Sequence, residues 1–581
     1  MSQADPPPAC EPAAGAADLR SGAESSRQTR WIAVLVLSGA LVVRLALVCQ
    51  PETPVQQGLY VDDAFIAHKI AQNIADGKGI TQGGRPTNGF QPLYVFLLVP
   101  MQAFLDPHAA TRASGVMNAV LSVLSAGLVF RVLSGHFGCR VGLIGLILCA
   151  LSAPLARVSQ NGLETTLAMM MALLVLDLHV RSRRDGVASR PDSGVVLGGV
   201  LGLAVLARVD LLLLAVPVGA EQVLSRMRRG RAGSAAVMLV AAVLVAGPWF
   251  LWSRVACGRL MPISGPATRT IAQLYADPDG PTGDAAYFPL GEAPLSFYQA
   301  HLASAIQHIA GESPLSLPVR YLGKAPPWAC LLWTGAWAIV AYLLHRGLRR
   351  GDPRHGRFRR LLVDARPAWI FCGLLVVGYA CWCFGNWWMW RYMAPAAMLL
   401  VLPSALWVDA VLDATAQRSR AGAAAAFVVL AAVYISASIR GHAALFLTPP
   451  MINEPGMYLD ALDLRDRLEP EACVGTFESG ILDYFLQREV INLDGKTNET
   501  AHRALVEGRM HELLDELKID YVVSSPPLVR DLLLRRGNWP EGALSVVGRL
   551  RHNVILRVMQ PVPAAGSTPP VQADDDGSAG G

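Results

Sequence analysis

The sequence predicts an α-helical polytopic membrane protein carrying a small C-terminal α/β domain. Three observations support this. Hydrophobic residues make up 52% of the 581 residues and charged ones only 16%, where soluble domains carry about a quarter charged residues. The apolar residues come in long blocks separated by short basic clusters, as membrane spans do. Beyond residue 440 these blocks give way to short β-branched runs with helical stretches between them, the pattern of an α/β unit.

Residues 1–30 are polar and rich in Ala and Pro, with Arg20, Arg27 and Arg30 ahead of the first apolar run. They are expected to be disordered and cytoplasmic. No small-residue cleavage site follows at the right distance, so the run reads as a signal anchor. Hydrophobic spans are expected at 31–49, 92–106, 111–133, 141–157, 163–180, 193–217, 233–254, 328–345, 367–386, 392–412 and 422–440. That makes about eleven, at roughly 20 apolar residues per bilayer crossing. With this count the N-terminal arginines, "SRMRRGR" at 225–231, "HRGLRRGDPRHGRFRR" at 345–360 and "QRSR" at 417–420 fall on one side. The excess of basic residues makes that side cytoplasmic. Loops 50–91 and 256–327 and the domain at 441–560 then lie outside the inner (plasma) membrane. One loop disobeys: "RSRRDGVASR" at 181–190 would be external with Arg181, Arg183, Arg184 and Arg190. Splitting the 193–217 block at "ARVD" brings this loop inside but inverts everything upstream, so the block is kept as one span.

In the C-terminal domain, strands are expected at 472–477, 489–495, 520–525 and 553–559, with a helix at 499–518. Residues 561–581 have the composition of a disordered tail. The +5 net charge is modest and sits in the loops, so it reports topology and not a nucleic-acid partner. Ten Cys show no metal spacing. Cys149, Cys330, Cys372, Cys381 and Cys383 lie in apolar blocks, and "CWC" at 381–383 reads as packed thiols.

The chemistry-bearing stretch is "GLYVDDAFIAHKIAQNIADGKGI", residues 58–80, just after the first span. Helical periodicity puts Asp63 on one face with Ile66, Ile70 and Ile74, a stripe suited to the membrane surface. Asp62 points nearer Lys69 and Asn73, and "DGKG" is a glycine stop. Two readings stay open. Asp62 is an N-cap and Asp63 a first-turn acid favoured by the helix dipole. Alternatively the pair deprotonates an acceptor hydroxyl or seats a divalent metal, Mg or Mn.

This segment, with "RPTNGFQPLYVFLL" at 85–98, resembles the first external loop of the GT-C superfamily of membrane glycosyltransferases, its bacterial branch in particular. That group includes the protein O-mannosyltransferases, the lipid A aminoarabinose transferase and the mycobacterial arabinosyltransferases. More similarities follow in order: "QNGLETTL" at 160–167, "LARVD" at 206–210, "CGRLMPISGPATR" at 257–269, "NWWMWRYMAPAAMLL" at 386–400 and "GTFESGILDYFLQREVINLDGKTN" at 475–498. Where the family often has a Lys after the Pro-x-Ser run, this chain offers only Arg269.

The resemblance implies a GT-C-like fold. It also implies an inverting transfer of sugar from a polyprenyl-phosphate donor to a glycan, lipid or protein acceptor at the outer membrane face. Asp63 is the expected base, with Asp62 as runner-up and both as the candidate metal ligands; some relatives use a metal and others do not. Arg391, Arg208, Arg269 and Lys69 are candidates for the donor phosphate. Arg391 reads equally as a snorkelling anchor, and Lys69 as a partner for Asp62. Glu164, Asp210, Asn88, Gln91 and Glu478 are candidates for substrate contact. Arg208 and Asp210 are costly within an apolar block unless they pair with each other. Glu478, Asp494 and Lys496 either shape an acceptor groove or belong to a turn. The competing functional class is a transporter or flippase of lipid-linked sugars.

Overall fold

Apolar runs in this chain become helices because a backbone without water must satisfy its own hydrogen bonds. The computed structural model describes residues 14–183, 192–276, 295–313, 316–321, 353–382, 389–448, 450–535 and 539–559. The expected span 328–345, the tail 561–581, Cys330, Cys383 and most of the loop 181–190 lie outside them. Among the described residues, five helices are long and apolar enough to cross a membrane: Gln28–Val48, Pro107–Phe137, Thr165–Arg183, Ala232–Cys257 and Arg420–Leu447. Counting each bent pair as one span gives up to eight; the pairs are Cys139–Ala150 with Ala153–Ser159 (62°), Gly356–Asp364 with Arg366–Cys381 (64°), and Met389–Leu399 with Val401–Gln417 (47°). The first helix begins at Ala14, within the stretch expected to be disordered.

Two expected spans are corrected. The block 193–217 is not one helix. Asp192–Ala207 stops at Arg208, a 3-10 turn covers Val209–Leu211, and a second helix runs Leu212–Arg228. The far ends of these two helices meet near Gly194, where Arg226 bonds Ser234. The second correction is Pro92–Phe104, only 13 residues long, about 20 Å at 1.5 Å per residue and too short to cross. It lies along the Asp62–Ala75 helix, with Gln102 at 2.8 Å from His68 Nδ1. Its first residue follows Gln91, whose Oε1 accepts the Val209 N–H at 3.1 Å.

These changes move Arg181 and Arg183, the two described arginines of the anomalous loop. Arg183 now pairs with Glu221, which also holds Arg366 at 3.1 Å. Arg131 and Arg181 share Asp177 at 2.6 and 3.1 Å. Arg140 and Arg357 share Asp409 at 3.1 and 3.2 Å. The helix ends rich in arginine thus gather at one pole of the bundle, opposite Asp62 and Asp63.

A short hairpin pairs β1 (Thr81–Gln82) with β2 (Arg85–Pro86). At the acidic pole sits a sheet of β3 (Val474–Thr476), β4 (Val490–Asn492), β5 (Tyr521–Ser524), β6 (Leu544–Arg549) and β7 (Val554–Val558), in the order β4-β3-β5-β7-β6. β3 pairs in parallel with β4 and β5, while β5–β7 and β6–β7 are antiparallel. The Ser479–Leu486 helix connects β3 to β4 and packs on the Asp62–Ala75 helix. Phe65 meets Phe485 at 5.2 Å and Tyr484 at 5.6 Å between ring centroids, distances at which aromatic pairs attract beyond simple burial. One continuous buried cluster runs from Leu133 and Leu173 in the bundle through Phe65 and Ile70 to Val474 and Ile555 of the sheet. The Asp62–Ala75 helix is therefore a wedge between bundle and sheet. Its isoleucine stripe does not rest on a membrane surface: Ile70 is fully buried, and Ile66 lines a cavity.

The wedge is fixed by backbone proximity. A Cβ on Gly480 would lie 1.9 Å from the Asp62 carbonyl oxygen. Gly480→Ala is expected to cost about 1–3 kcal/mol, the range for overpacking a close contact. A lowered midpoint of thermal unfolding in detergent checks this, and an unchanged midpoint contradicts the wedge.

Candidate functional site

The Arg208 turn, the start of the Asp62–Ala75 helix and the Met389–Leu399 helix converge on a cavity of about 390 Å³. Asp63, Gln91, Glu164, Arg208, Asp210, Arg391 and Lys496 line it among apolar groups that include Ile66, Phe90, Tyr94, Leu213 and Tyr392. Seven residues named in the sequence reading are thereby brought together from six separate segments.

Asp63 is at the centre. Its Oδ2 accepts from Arg391 Nη2 at 2.8 Å, and its Oδ1 lies 3.2 Å from Lys496 Nζ. Burial pushes this carboxyl up, but Lys496 and Arg391 outweigh it and hold it well below the usual carboxylate range. Lys496 also contacts Asp494 at 3.2 Å. It is delivered by the "LDGKTN" turn after β4, and it was read from the sequence only as part of an acceptor groove or a turn. No local pattern places a C-terminal lysine beside an aspartate 433 positions away. A close approach holds it there, since a Cβ on Gly89 would sit 2.0 Å from the Lys496 carbonyl oxygen.

Arg391 is aimed by the helix it belongs to. Pro395 lies inside that helix and lacks the N–H that would otherwise bond the carbonyl four residues back. Arg208 fills the vacancy: its Nη1 donates to the Arg391 carbonyl at 3.0 Å. Its Nη2 contacts Asp210 Oδ2 at 2.6 Å and Tyr379 Oη at 3.2 Å. The Tyr379 hydroxyl donates to the same Asp210 oxygen at 2.8 Å. Arg208 and Asp210 do pair, as one reading of the sequence has it, and the pair splints Arg391. Arg208→Ala is expected to destabilise the protein by about 3–5 kcal/mol, because Asp210 stays buried without its cation. Adding Pro395→Ala returns a donor to the Arg391 carbonyl and should recover part of the lost thermal stability but little activity. Recovery of neither contradicts the splint.

Glu164 enters through a turn. Asn161 Oδ1 accepts the Leu163 N–H at 2.9 Å, and Gly162 has φ +78°, a left-handed value that suits glycine. Tyr94 Oη donates to the Gly162 carbonyl at 2.8 Å. Burial raises the Glu164 carboxyl, with Arg208 and Arg391 opposing.

Other candidates stand elsewhere. Asp62 is not the N-cap of its own helix, where Val61 holds that position. Its oxygens accept the Ile481 and Gly480 N–H groups at 2.7 and 3.3 Å, so it caps the Ser479–Leu486 helix. Burial pushes Asp62 up to about 8, against the Ile481 N–H. By pKa alone it is the better base, but it faces a helix N-terminus and not the cavity, and geometry decides first. Lys69 pairs with Asp483 at 3.4 Å and does not reach the cavity. Asn88 staples the loop before the second large connection: its Nδ2 donates to Ser253 Oγ at 2.6 Å and Met261 O at 3.1 Å. Arg269 is buried on the Ser264–Ala276 helix outside the cavity lining. Glu478 lies 3.5 Å from His552 Nε2, also outside it. Residues 62 and 63 do not fit a divalent metal as a pair. Asp62 is spent on backbone donors, and Asp63 is flanked by two cations that repel one. Among the described residues no three His, Cys, Asp or Glu side chains group as metal ligands.

The chain shares its fold with solved structures of one other protein. The particular likeness is to ArnT from Cupriavidus metallidurans bound to undecaprenyl phosphate, with a TM-score of 0.56 at 16% identity over 91% of this chain and 98% of that one. The apo state of the same protein gives 0.53 at 16% identity over the same shares. The Archaeoglobus fulgidus oligosaccharyltransferase, in complex with Zn and sulfate, gives 0.49 at 13% identity over 85% of this chain and 68% of that one. No protein-family profile and no curated protein sequence matches the chain.

Proposed function

We propose that the protein transfers a sugar from a polyprenyl-phosphate donor to an acceptor hydroxyl at the outer face of the membrane. The observation that supports it is the Asp63–Arg391–Lys496 group lining a largely apolar cavity. A phosphate in low dielectric must be paired, and a guanidinium and an ammonium stand together where one would dock. A carboxylate lies between them. The likeness to a protein bound to undecaprenyl phosphate agrees with such a ligand.

In the reaction the acceptor oxygen attacks the anomeric carbon. The bond from that carbon to the phosphate oxygen breaks, and its electron pair leaves with the polyprenyl phosphate. The acceptor proton passes to Asp63. A single displacement inverts the anomeric centre. Arg391 and Lys496 take up the charge growing on the phosphate, which costs little reorganisation because both are already in place. Asp63 is a weak base, so its proton arrives late, as oxocarbenium character builds. The donor set does not call for a metal.

The arginine-rich pole faces the cytoplasm by the positive-inside rule. The sheet domain at 441–560 and the Asp63 end of the cavity then face outward, with about eleven spans when the five long helices, the three bent pairs, the two helices that meet at Arg208 and the sequence-expected 328–345 are counted.

The test is incubation of purified protein with radiolabelled undecaprenyl-phosphate hexoses and pentoses, with cell-envelope extract as acceptor source. The reading requires transfer of label together with release of undecaprenyl phosphate. Passage of intact donor across proteoliposomes without that release sinks it in favour of a flippase.

The charge arrangement also fixes a pH dependence. Asp63 has a depressed pKa, so its ionised form persists as pH falls through the ordinary carboxylate range near 4. The wild-type rate is expected to show no acid limb between about pH 4 and 6. Lys496→Met removes one of the two cations that hold the carboxyl down, and its profile should gain an acid limb in that window. Superimposable profile shapes for the two proteins contradict the assignment.

A further inference from the structure

We infer that Asp494 is a positioning residue for the transfer: it tethers the Lys496 ammonium, so that this cation keeps its place when Asp63 takes the acceptor proton. The inference rests on the proposed function and adds a residue to it.

Asp494 touches Lys496 twice. Its Oδ1 accepts the Lys496 backbone N–H at 2.9 Å, and its Oδ2 lies 3.2 Å from Nζ. One carboxylate thus fixes both the bend of the main chain and the head of the side chain. Among the described residues its side chain makes no other hydrogen bond or ion pair, and it is only 4% exposed. A buried carboxylate is kept where it is paired, and Lys496 is its pair. The turn itself is pinned from two sides. The Lys496 carbonyl abuts Gly89. Gly495, at φ +80°, abuts the Glu499–Glu507 helix, where an added Cβ would lie 2.5 Å from His502 Cβ. His502 Nε2 in turn stands 3.0 Å from Thr270 Oγ1. With the main chain held, the lysine stem is the part left to move, and Asp494 restrains it.

Lys496 Nζ stands 3.2 Å from Asp63 and 3.2 Å from Asp494. The two carboxylates have different fates. Asp63 lines the cavity and meets the acceptor, whereas Asp494 lies outside the lining. In the proposed reaction the acceptor proton neutralises Asp63, and the Coulomb attraction that it exerts on both cations is lost. Charge grows on the leaving phosphate in the same step, so both cations are needed in place as Asp63 lets go. Arg391 keeps a second hold, on the Tyr392 hydroxyl at 3.0 Å and over its ring at 4.9 Å. Lys496 is a compact charge on a flexible stem, and Asp494 is its second hold. Each cation is thus shared between one partner that the reaction consumes and one that it leaves alone.

The experiment measures kcat for sugar transfer and equilibrium binding of bare undecaprenyl phosphate, both with the full chain in nanodiscs. Asp494→Asn keeps an oxygen for the Lys496 N–H and removes only the charge. Its kcat is expected to fall about tenfold to a hundredfold, the scale of a misplaced reacting group. Its affinity for undecaprenyl phosphate should hold or rise, because the ammonium loses a competing anion. Asp494→Glu is the converse: it keeps the anion and gives up the turn geometry, and it should transfer faster than Asp494→Asn. In a Lys496→Met background the Asn substitution should change kcat by less than about twofold, since no ammonium remains to tether. The inference is overturned by an unchanged kcat in Asp494→Asn, or by a loss that recurs in full on Lys496→Met. Lipid-phosphate affinity that falls in step with turnover also overturns it, as does a glutamate variant no faster than the asparagine one. These outcomes strike at Asp494 alone. Absence of transfer by the wild type strikes at the proposed function and takes this inference with it.

Discussion

Arg391→Ala is expected to lower kcat/KM for sugar transfer by about a thousandfold, at the upper end of the loss seen when one preorganised charge-stabilising donor is removed. One guanidinium does several jobs here. It holds Asp63 at 2.8 Å, donates to the Tyr392 hydroxyl at 3.0 Å, and stands over the Tyr392 ring at 4.9 Å. Without it, Asp63 keeps only Lys496, and the leaving phosphate loses its planar donor fork. Arg391→Lys should recover little, because an ammonium on a flexible stem cannot serve the carboxylate and the phosphate in one geometry. The variant also leaves a buried carboxylate short of a partner, at a cost of about 3–5 kcal/mol, so lost activity could reflect lost folding. The double variant Arg391→Met with Asp63→Asn separates the two. It removes both charges and should regain much of the thermal midpoint while staying inactive. A double variant that regains activity would remove both residues from the chemistry, Asp63 as the base and Arg391 as the phosphate's donor.

The helical class was legible because hydrophobic blocks and arginine clusters are one-dimensional signals. Their errors are equally physical. Pro92–Phe104 and the 193–217 block have similar apolar character, yet one lies along the wedge helix and the other folds back at Arg208. Length tells against the first. For the second, the "ARVD" charges were the visible sign: an arginine and an aspartate within an apolar block are most easily satisfied where the chain turns. The "RSRR" loop on the wrong side was a second sign of the same fault. Among the candidate residues, Asp63, Arg391, Arg208, Asp210, Glu164 and Gln91 share the cavity, while Lys69, Asn88, Asp62 and Glu478 meet partners outside it and Arg269 is buried outside its lining. Polar residues of both kinds look alike in sequence, since a staple such as Asn88 and a cavity-lining residue such as Gln91 differ only in what the fold brings opposite. Lys496 shows the converse. Its place depends on the sheet domain docking at Gly89 and Gly480, a long-range contact with no local periodicity. β6 was missed because "LSVVGR" is a half-exposed edge strand with a glycine at its bulge, and it offers no clear alternation.

Asp63→Asn should give the complementary result: transfer lost by about 10²- to 10⁴-fold, the usual contribution of a general base, with lipid-phosphate binding retained or tightened. Asparagine keeps the shape but cannot take the acceptor proton. It also frees Arg391 and Lys496 from a competing anion, so both cations become available to phosphate. Arg391→Ala and Asp63→Asn are thus predicted to move undecaprenyl phosphate affinity in opposite directions while both abolish turnover. A purely structural role for the ion pair would weaken binding in both. Asp62→Asn is the control from the adjacent position. It retains an oxygen for the Ile481 N–H but not for both backbone donors, so it should lower the thermal midpoint while leaving lipid-phosphate affinity close to wild type. The decisive comparison is therefore affinity against turnover across the three variants. A Asp63→Asn protein that turns over normally, or that loses lipid-phosphate binding in step with Arg391→Ala, removes Asp63 from the chemistry.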